Sequence, residues 1–141
     1  MEKNLLYFLL GNIDMAKITT KKLIEISADG DFKRLLLEDL EGYDQFYDRC
    51  CAMKSESEKL KDVSFLAENM TKMSIAIKTM RDKSPAKMSG MLMDGFEMGI
   101  SDAQENIKRA KADGERQEVI SLATQYLTLL FDNQSRYEKF L

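Results

Sequence analysis

The chain has 141 residues, of which 44% are hydrophobic and 32% are charged, and its 21 basic and 24 acidic side chains leave a net charge of −3. This length and composition fit a single ordinary globular domain, residues 1–141, and contain no apolar run long enough for a membrane span. The even mixture of charges, without a basic stripe, argues against a nucleic-acid partner.

The first predicted helix covers about residues 2–28. Its apolar run Leu5–Leu10 is short, follows an acidic residue and lacks a cleavage site of small residues, so we interpret it as part of a structural helix and not as a secretion signal. Asp29-Gly30 should end this helix, because glycine adopts the left-handed C′ conformation at little cost. Asp31 can then cap the next helix.

The second predicted helix extends to about residue 53 and carries apolar side chains in helical spacing. A connection this short makes the two helices an antiparallel hairpin, residues 2–54. The side chains of this helix that we expect to face the core are Leu36, Leu40, Tyr43, Tyr47 and Cys50.

A crossover, residues 55–83, follows the first hairpin. It begins with a polar, aperiodic stretch and continues as an amphipathic helix over residues 62–81. Ser84-Pro85 then marks the start of the next helix. The serine caps that helix, and the proline occupies its first position, where an N–H would have had no partner.

The second hairpin, residues 84–141, resembles the first. Its helices are predicted at about 85–112 and 115–140, and Asp113-Gly114 separates them. The side chains expected to face the core are Met88, Leu92, Gly95 or Phe96, and Gly99 in the earlier helix, and Val119, Ala123, Tyr126, Leu130, Gln134 and Tyr137 in the later one.

An internal repeat relates the two hairpins. The connector Ala28-Asp-Gly-Asp31 matches Ala112-Asp-Gly-Glu115, and the upstream run Gly11-Asn-Ile-Asp14 matches Gly99-Ile-Ser-Asp102. Apolar positions after each connector also coincide. We interpret the pattern as a duplicated hairpin.

The central helix 62–81 is long enough to span the molecule, since a helix of about 20 residues measures about 30 Å. It could therefore return the chain to the end at which the first hairpin turns. The expected fold class is all-α, a ferritin-like four-helix bundle of two helical hairpins joined by a long crossover that contains an additional helix.

Several runs of the sequence resemble a known family. They are Asp82-Lys-Ser-Pro85, Met91-Leu-Met-Asp-Gly95, Met98-Gly-Ile-Ser-Asp102, and the segment 35–41 before Tyr43. These runs are similar to a family of small ferritin-like four-helix bundles of unknown function from Firmicutes. The resemblance covers most of the chain and implies the ferritin-like fold, and it implies no activity.

The absence of histidine excludes the usual di-iron centre, which takes Glu-x-x-His from two of its helices. Asp14 and Asp102 are the most interesting polar pair, since each follows a mid-helix glycine. A glycine inside a helix costs about 0.5–1 kcal/mol relative to alanine, so its repetition suggests close helix approach, which Gly95 and Gly99 would extend. We expect both aspartates to bond across that contact or to reach solvent; a carboxylate-only metal site is the less favoured alternative.

Most of the ten methionines lie between residues 70 and 98. Methionine fills irregular cores and also lines adaptable binding surfaces. The candidate ligand or partner surface comprises Met70, Met73, Met91 and Met93. Packing in the core or between subunits is favoured over a groove for an apolar ligand.

The two cysteines, Cys50 and Cys51, are adjacent in the sequence. Neighbouring helix residues point about 100° apart, which disfavours a disulfide between them. We expect one thiol in the core and one at its edge, and the unpaired thiols favour a reducing, cytoplasmic location.

The sequence favours a non-catalytic protein without a cofactor, because it lacks a histidine base and any nucleophile or phosphate-loop motif. The leading hypothesis is an interaction or assembly module that self-associates as a homodimer or higher oligomer. The alternatives are a binding protein for an apolar small molecule or lipid, and, third, a degenerate carboxylate metal-site protein.

Overall fold

A computed structural model of the protein describes residues 4–54 and 72–141. The regular structure in these two segments is helical, which confirms the all-α prediction. Half of the predicted central helix, residues 62–71 with Met70, lies outside the described residues. The helices are α1 (Leu5–Ile26), α2 (Asp31–Ala52), α3 (whose described part is 72–78), α4 (Pro85–Ala112) and α5 (Gln117–Glu138).

The first connector differs from its prediction. Helix α1 ends at Ile26, and the hydroxyl of Ser27 donates to the carbonyl of Leu23 at 2.6 Å. Gly30 has φ 155° and ψ −170° and precedes α2 as its N-cap, so it is not the left-handed residue that terminates α1. Asp31 is the first residue of α2, and its carboxylate pairs with Arg34 and does not cap the helix.

The second hairpin begins and turns as the sequence predicts. The hydroxyl of Ser84 accepts a hydrogen bond from the Lys87 N–H at 3.2 Å, and Pro85 is the first residue of α4. Gly114 is left-handed, with φ 69°. Its N–H donates to the carbonyl of Lys111 at 3.3 Å, and the Glu115 N–H donates to that of Ala110 at 3.0 Å, which is the Schellman pattern.

The directions of the helices follow from their contacts. The short connectors make α1 antiparallel to α2 and α4 antiparallel to α5. Ser27, at the end of α1, lies beside Met88, at the start of α4, with Oγ and Sδ 3.7 Å apart. At the other end of the molecule, the Leu5 N–H donates to Glu115 at 2.9 Å. Helix α4 therefore runs antiparallel to α1 and begins at the end opposite to the one where α2 stops.

The core lies between α1, α2, α4 and α5 and is mainly aliphatic, with an aromatic cluster near one end. There the ring of Phe32 meets Tyr137 and Phe140 edge to face, at centroid distances of 5.8 and 5.2 Å. Phe96 of α4 lies 5.6 Å from the Tyr137 ring. Such aromatic pairs contribute about 0.5–1.5 kcal/mol each beyond their burial, so this cluster ties α2 and α4 to α5.

Two of the predicted core positions are displaced by one residue. Leu40 of α2 is only half-buried, whereas Asp39 beside it is 3% exposed. Likewise Gln134 of α5 is half-buried, whereas Asn133 is completely buried. In both helices a polar side chain takes the position expected for its neighbour.

Candidate functional site

The middle of the molecule contains a close approach of three helices around Gly99 of α4. A Cβ atom at Gly99 would lie 3.3 Å from Leu130 Cδ1 and 3.9 Å from the Asn12 side chain. The buried Tyr126 hydroxyl donates to Asn12 Oδ1 at 2.5 Å. The inferred tight packing at Gly99 is therefore present. It does not extend to Gly95, where a Cβ atom would meet nothing within 4 Å.

The candidate pair Asp14 and Asp102 is not brought together. Asp14 is half-buried on the side of α1 that faces α2, near Lys17 and Tyr47. A hydrogen bond from Lys17 to Asp44 raises the pKa of the lysine, and the nearby charges of Asp44 and Asp14 raise it further. Asp102 is exposed on α4, where its backbone carbonyl accepts from Asn106 at 2.8 Å. The matched aspartates thus occupy different environments.

The candidate methionines are distributed over two helices. Met73 of α3 is half-buried against α1, where the Thr19 hydroxyl contacts its sulfur. Met91 and Met93 of α4 are also half-buried against the core. Because two residues along a helix differ by about 200° around its axis, Met91 and Met93 lie on opposite flanks of α4. Met70 lies outside the described residues.

A buried polar cluster joins α2 to α5. We use this name for Asp39 and Tyr43 of α2 with Asn133, Arg136 and Tyr137 of α5. The guanidinium of Arg136 contacts the carboxylate of Asp39 and the side-chain oxygen of Asn133. The amide of Asn133 donates to the Tyr43 hydroxyl at 3.0 Å, deep in the core. These contacts fix α2 and α5 in one antiparallel register.

Burial controls the protonation of the buried polar cluster. It raises the pKa of Asp39, and the adjacent Tyr137 hydroxyl and Arg136 guanidinium offset only part of that rise. Burial and the nearby Asp39 charge also raise the pKa of Tyr43, so its phenol stays neutral. Asp39 Oδ2 and Arg136 Nε have no hydrogen-bond partner within the described segments. The buried charge is therefore incompletely compensated.

The two thiols have contrasting environments. Cys50 is fully buried, and burial together with the neighbouring Cys51 raises its pKa to about 11. Cys51 is exposed, and both thiols are free. The expectation of one thiol in the core is confirmed by Cys50, whereas Cys51, expected at the edge of the core, is exposed to solvent.

The outward surface of α5 is unusual for a chain this rich in charge. We call it the α5 outer face and define it by five exposed residues without charge: Ser121, Thr124, Gln125, Thr128 and Phe131. Their spacing of three and four residues places them on one side of the helix. Phe131 contributes the largest apolar area and is 45% exposed.

The threonines of the α5 outer face turn their hydroxyls inward. Thr124 Oγ1 donates to the Ile120 carbonyl at 2.9 Å, and Thr128 Oγ1 donates to the Thr124 carbonyl at 3.2 Å. This i−4 bonding satisfies the hydroxyl donors within the helix, so they need no bond to water. The face is therefore more apolar than its composition suggests.

Two shallow depressions open on the surface. One, of about 400 Å³, lies beside the α5 outer face and is lined by Leu129, Asp132, Ser135 and Arg136. The other, of about 260 Å³, lies at the end of the molecule where Glu115 caps α1. Neither includes any of the candidate methionines or aspartates.

Sequence reasoning missed the buried polar cluster and the α5 outer face. Asp39 lies four residues before Tyr43 and could have been placed on the buried side of α2, but the neighbouring Leu40 is the more hydrophobic choice. For α5, the signal was the run from Val119 to Phe131, which contains no charged residue. The same run has two interpretations. It indicates a helix without acidic metal ligands, and it also indicates an uncharged surface.

Comparison with protein families, curated proteins and solved structures gave no match to the chain. Across residues 4–54 and 72–141, no three His, Cys, Asp or Glu side chains are grouped so that they could hold a metal ion. Within the same segments, no helix is long and apolar enough to cross a membrane.

Proposed function

We propose that this chain is a ferritin-like four-helix bundle that works as a self-associating interaction or assembly module and not as an enzyme. The ferritin-like arrangement is supported by the helix directions. Two antiparallel hairpins pack with α1 antiparallel to α4, and the connection from α2 to α4 joins opposite ends of the molecule. An ordinary up-down-up-down bundle would join neighbouring ends.

The α5 outer face is the observation that carries the proposed function. Charged residues make up 32% of the chain, yet five exposed residues on three turns of α5 carry no charge. Depletion of charge together with an exposed aromatic side chain is typical of protein interfaces. A surface of this kind is suited to packing against another protein.

The filled centre supports a role that does not depend on a di-iron site. In a di-iron bundle, carboxylates from all four helices and histidines from two of them converge in the core. Here the Tyr126–Asn12 hydrogen bond and the contact of Leu130 with Gly99 occupy the space. We expect protein purified from its native host to contain no stoichiometric iron or manganese by elemental analysis. Stoichiometric metal would instead favour the carboxylate-site alternative.

Native mass spectrometry of the same material tests the proposed function directly. We expect a concentration-dependent oligomer that is free of bound small molecules. A strictly monomeric protein at 200 µM would contradict the self-association. A stoichiometric apolar ligand would favour the alternative role as a lipid or small-molecule binding protein.

A further inference from the structure

We infer that the partner of the α5 outer face is a second copy of this chain, docked with the two α5 helices antiparallel about a two-fold axis near Thr128. This inference rests on the self-association proposed above and adds the surface, the orientation and the register. In this arrangement Arg49 of each copy pairs with Asp132 of the other.

The α5 outer face can lose its water at low cost. The hydroxyls of Thr124 and Thr128 already bond within the helix, so burial leaves neither of these two donors unsatisfied. A face without charge can also meet its own copy without like-charge repulsion, as a two-fold interface requires. These properties suit a homodimer better than a highly charged partner.

Charge complementarity sets the orientation and the register. The Arg49 guanidinium stacks over the Phe46 ring at 5.2 Å and donates to Gln125 at 2.7 Å, so it lies level with residue 125 of α5. Asp132 is exposed seven residues further along, about 10 Å away along the axis. Within the described segments, neither Arg49 nor Asp132 has an ion-pair partner.

A two-fold axis midway between residues 125 and 132 gives an ion-pair partner to both Arg49 and Asp132. Because the paired helices run in opposite directions, each Arg49 meets the partner's Asp132, and the pair forms twice. On the other flank, the same axis brings Phe131 to within one residue, about 1.5 Å along the axis, of the level of the partner's Leu127, which is half-buried. A single register therefore forms the ion pairs on one flank of the interface and the apolar contact on the other.

The available area indicates a modest affinity. Helix α5 has 22 residues and is about 33 Å long, and a single helix face of this length covers only part of the roughly 800 Å² that each partner buries in a standard interface. The flanks, including Arg49 of α2, must supply the rest. We therefore expect a dimer with a micromolar Kd.

The first experiment introduces a charge at the proposed axis. Sedimentation equilibrium of the full chain from 1 to 200 µM would give the dimer Kd of the wild type, Thr128→Glu and Ser101→Glu. Ser101 is an exposed residue of α4 outside the proposed interface and serves as the matched control. We expect Thr128→Glu to weaken the dimer at least tenfold and Ser101→Glu to change it less than twofold, with unchanged circular dichroism.

A charge exchange tests the register. Asp132→Arg or Arg49→Asp alone should weaken the dimer several-fold, because each places like charges opposite one another. The double variant should recover the wild-type Kd within about twofold. Failure of the double variant to recover, with both singles folded, would overturn the pairing of Arg49 with Asp132.

Crosslinking provides a readout that does not depend on Kd. In a Cys51→Ser background, Thr128→Cys should form an intermolecular disulfide under mild oxidation, and Ser101→Cys should not. A wild-type chain that stays monomeric would overturn both the proposed function and this interface. A dimer that is indifferent to Thr128→Glu and does not crosslink through position 128 would overturn the interface alone.

Discussion

The two connectors between paired helices have almost the same sequence and different structures. Ala112-Asp-Gly-Glu115 forms a Schellman turn, with Gly114 left-handed at φ 69°. In Ala28-Asp-Gly-Asp31 the helix has already stopped at Ile26, and Gly30 begins the next helix at φ 155°. The acid that follows each glycine also differs in role. Glu115 caps α1 and pairs with Arg109, whereas Asp31 is exposed.

The difference shows that residues outside a connector decide how it turns. In the first hairpin, Ser27 binds the carbonyl of Leu23 and lies against Met88, so α1 ends before the glycine. In the second, the aligned residue is the exposed Lys111, and α4 continues to Ala112. A four-residue match of sequence therefore does not ensure a common geometry of the two connectors.

The glycines offer the largest expected effect. A Cβ atom at Gly30 or Gly114 would meet nothing within 4 Å, so any loss on substitution comes from the backbone. Gly30→Ala should cost about 2–3 kcal/mol, because its φ and ψ combination is essentially restricted to glycine. Gly114→Ala should cost about 1–2 kcal/mol, the usual penalty of the left-handed helical region. Urea unfolding followed by circular dichroism measures both.

Asparagine variants separate the two connectors further. Asparagine tolerates the left-handed helical region, so Gly114→Asn should cost less than Gly114→Ala. Gly30→Asn should lose as much unfolding free energy as Gly30→Ala does. If asparagine were better tolerated than alanine by the same amount at both positions, the two connectors would share one conformation.

The acids after the glycines should differ by a smaller amount. Glu115→Ala removes the acceptor of the Leu5 N–H and the partner of Arg109, and it should cost about 1–2 kcal/mol, as the loss of a helix cap does. Asp31→Ala is the matched control and should change the unfolding free energy much less, because its pair with Arg34 is exposed to solvent. A comparable loss from both variants would remove the distinction between the two acids.

The smallest expected effect concerns Asp39, which stands opposite the buried Ala123 when the sequences of the two connectors are aligned. Burial raises the pKa of Asp39 above its usual value of 3.8, so the folded protein binds this proton more tightly than the unfolded chain does. Its contribution to stability is fully present below pH 3.8 and is lost as the pH rises through the folded-state pKa. On acidification from pH 7 to pH 4, the wild type should therefore gain stability relative to Asp39→Asn.

Unfolding curves of the wild type and Asp39→Asn at several pH values provide the measurement. Their difference in unfolding free energy should shrink or reverse toward low pH in favour of the wild type. A wild type that instead loses stability relative to Asp39→Asn on acidification would mean that the pair with Arg136 outweighs burial.

Local signals predicted the helices better than the pairing of their polar residues. Ser84-Pro85 and Gly114 act through neighbouring backbone groups, so the sequence alone located them. The burial of Asp39 depends on Arg136, which is 97 residues away along the chain. The hydrogen bond of the Thr124 hydroxyl to its own helix could not be predicted from composition either, because serine and threonine count as polar whatever their hydroxyls bind.

The adjacent cysteines allow local opening of α2 to be measured in the native protein. A thiol reagent reaches the exposed Cys51 directly, but it reaches the buried Cys50 only after the end of α2 has separated from the core. The ratio of the two labelling rates therefore measures the free energy of that local opening, without any substitution. Because the chain has two cysteines in all, mass spectrometry of the labelled protein assigns every event to one side of α2 or the other.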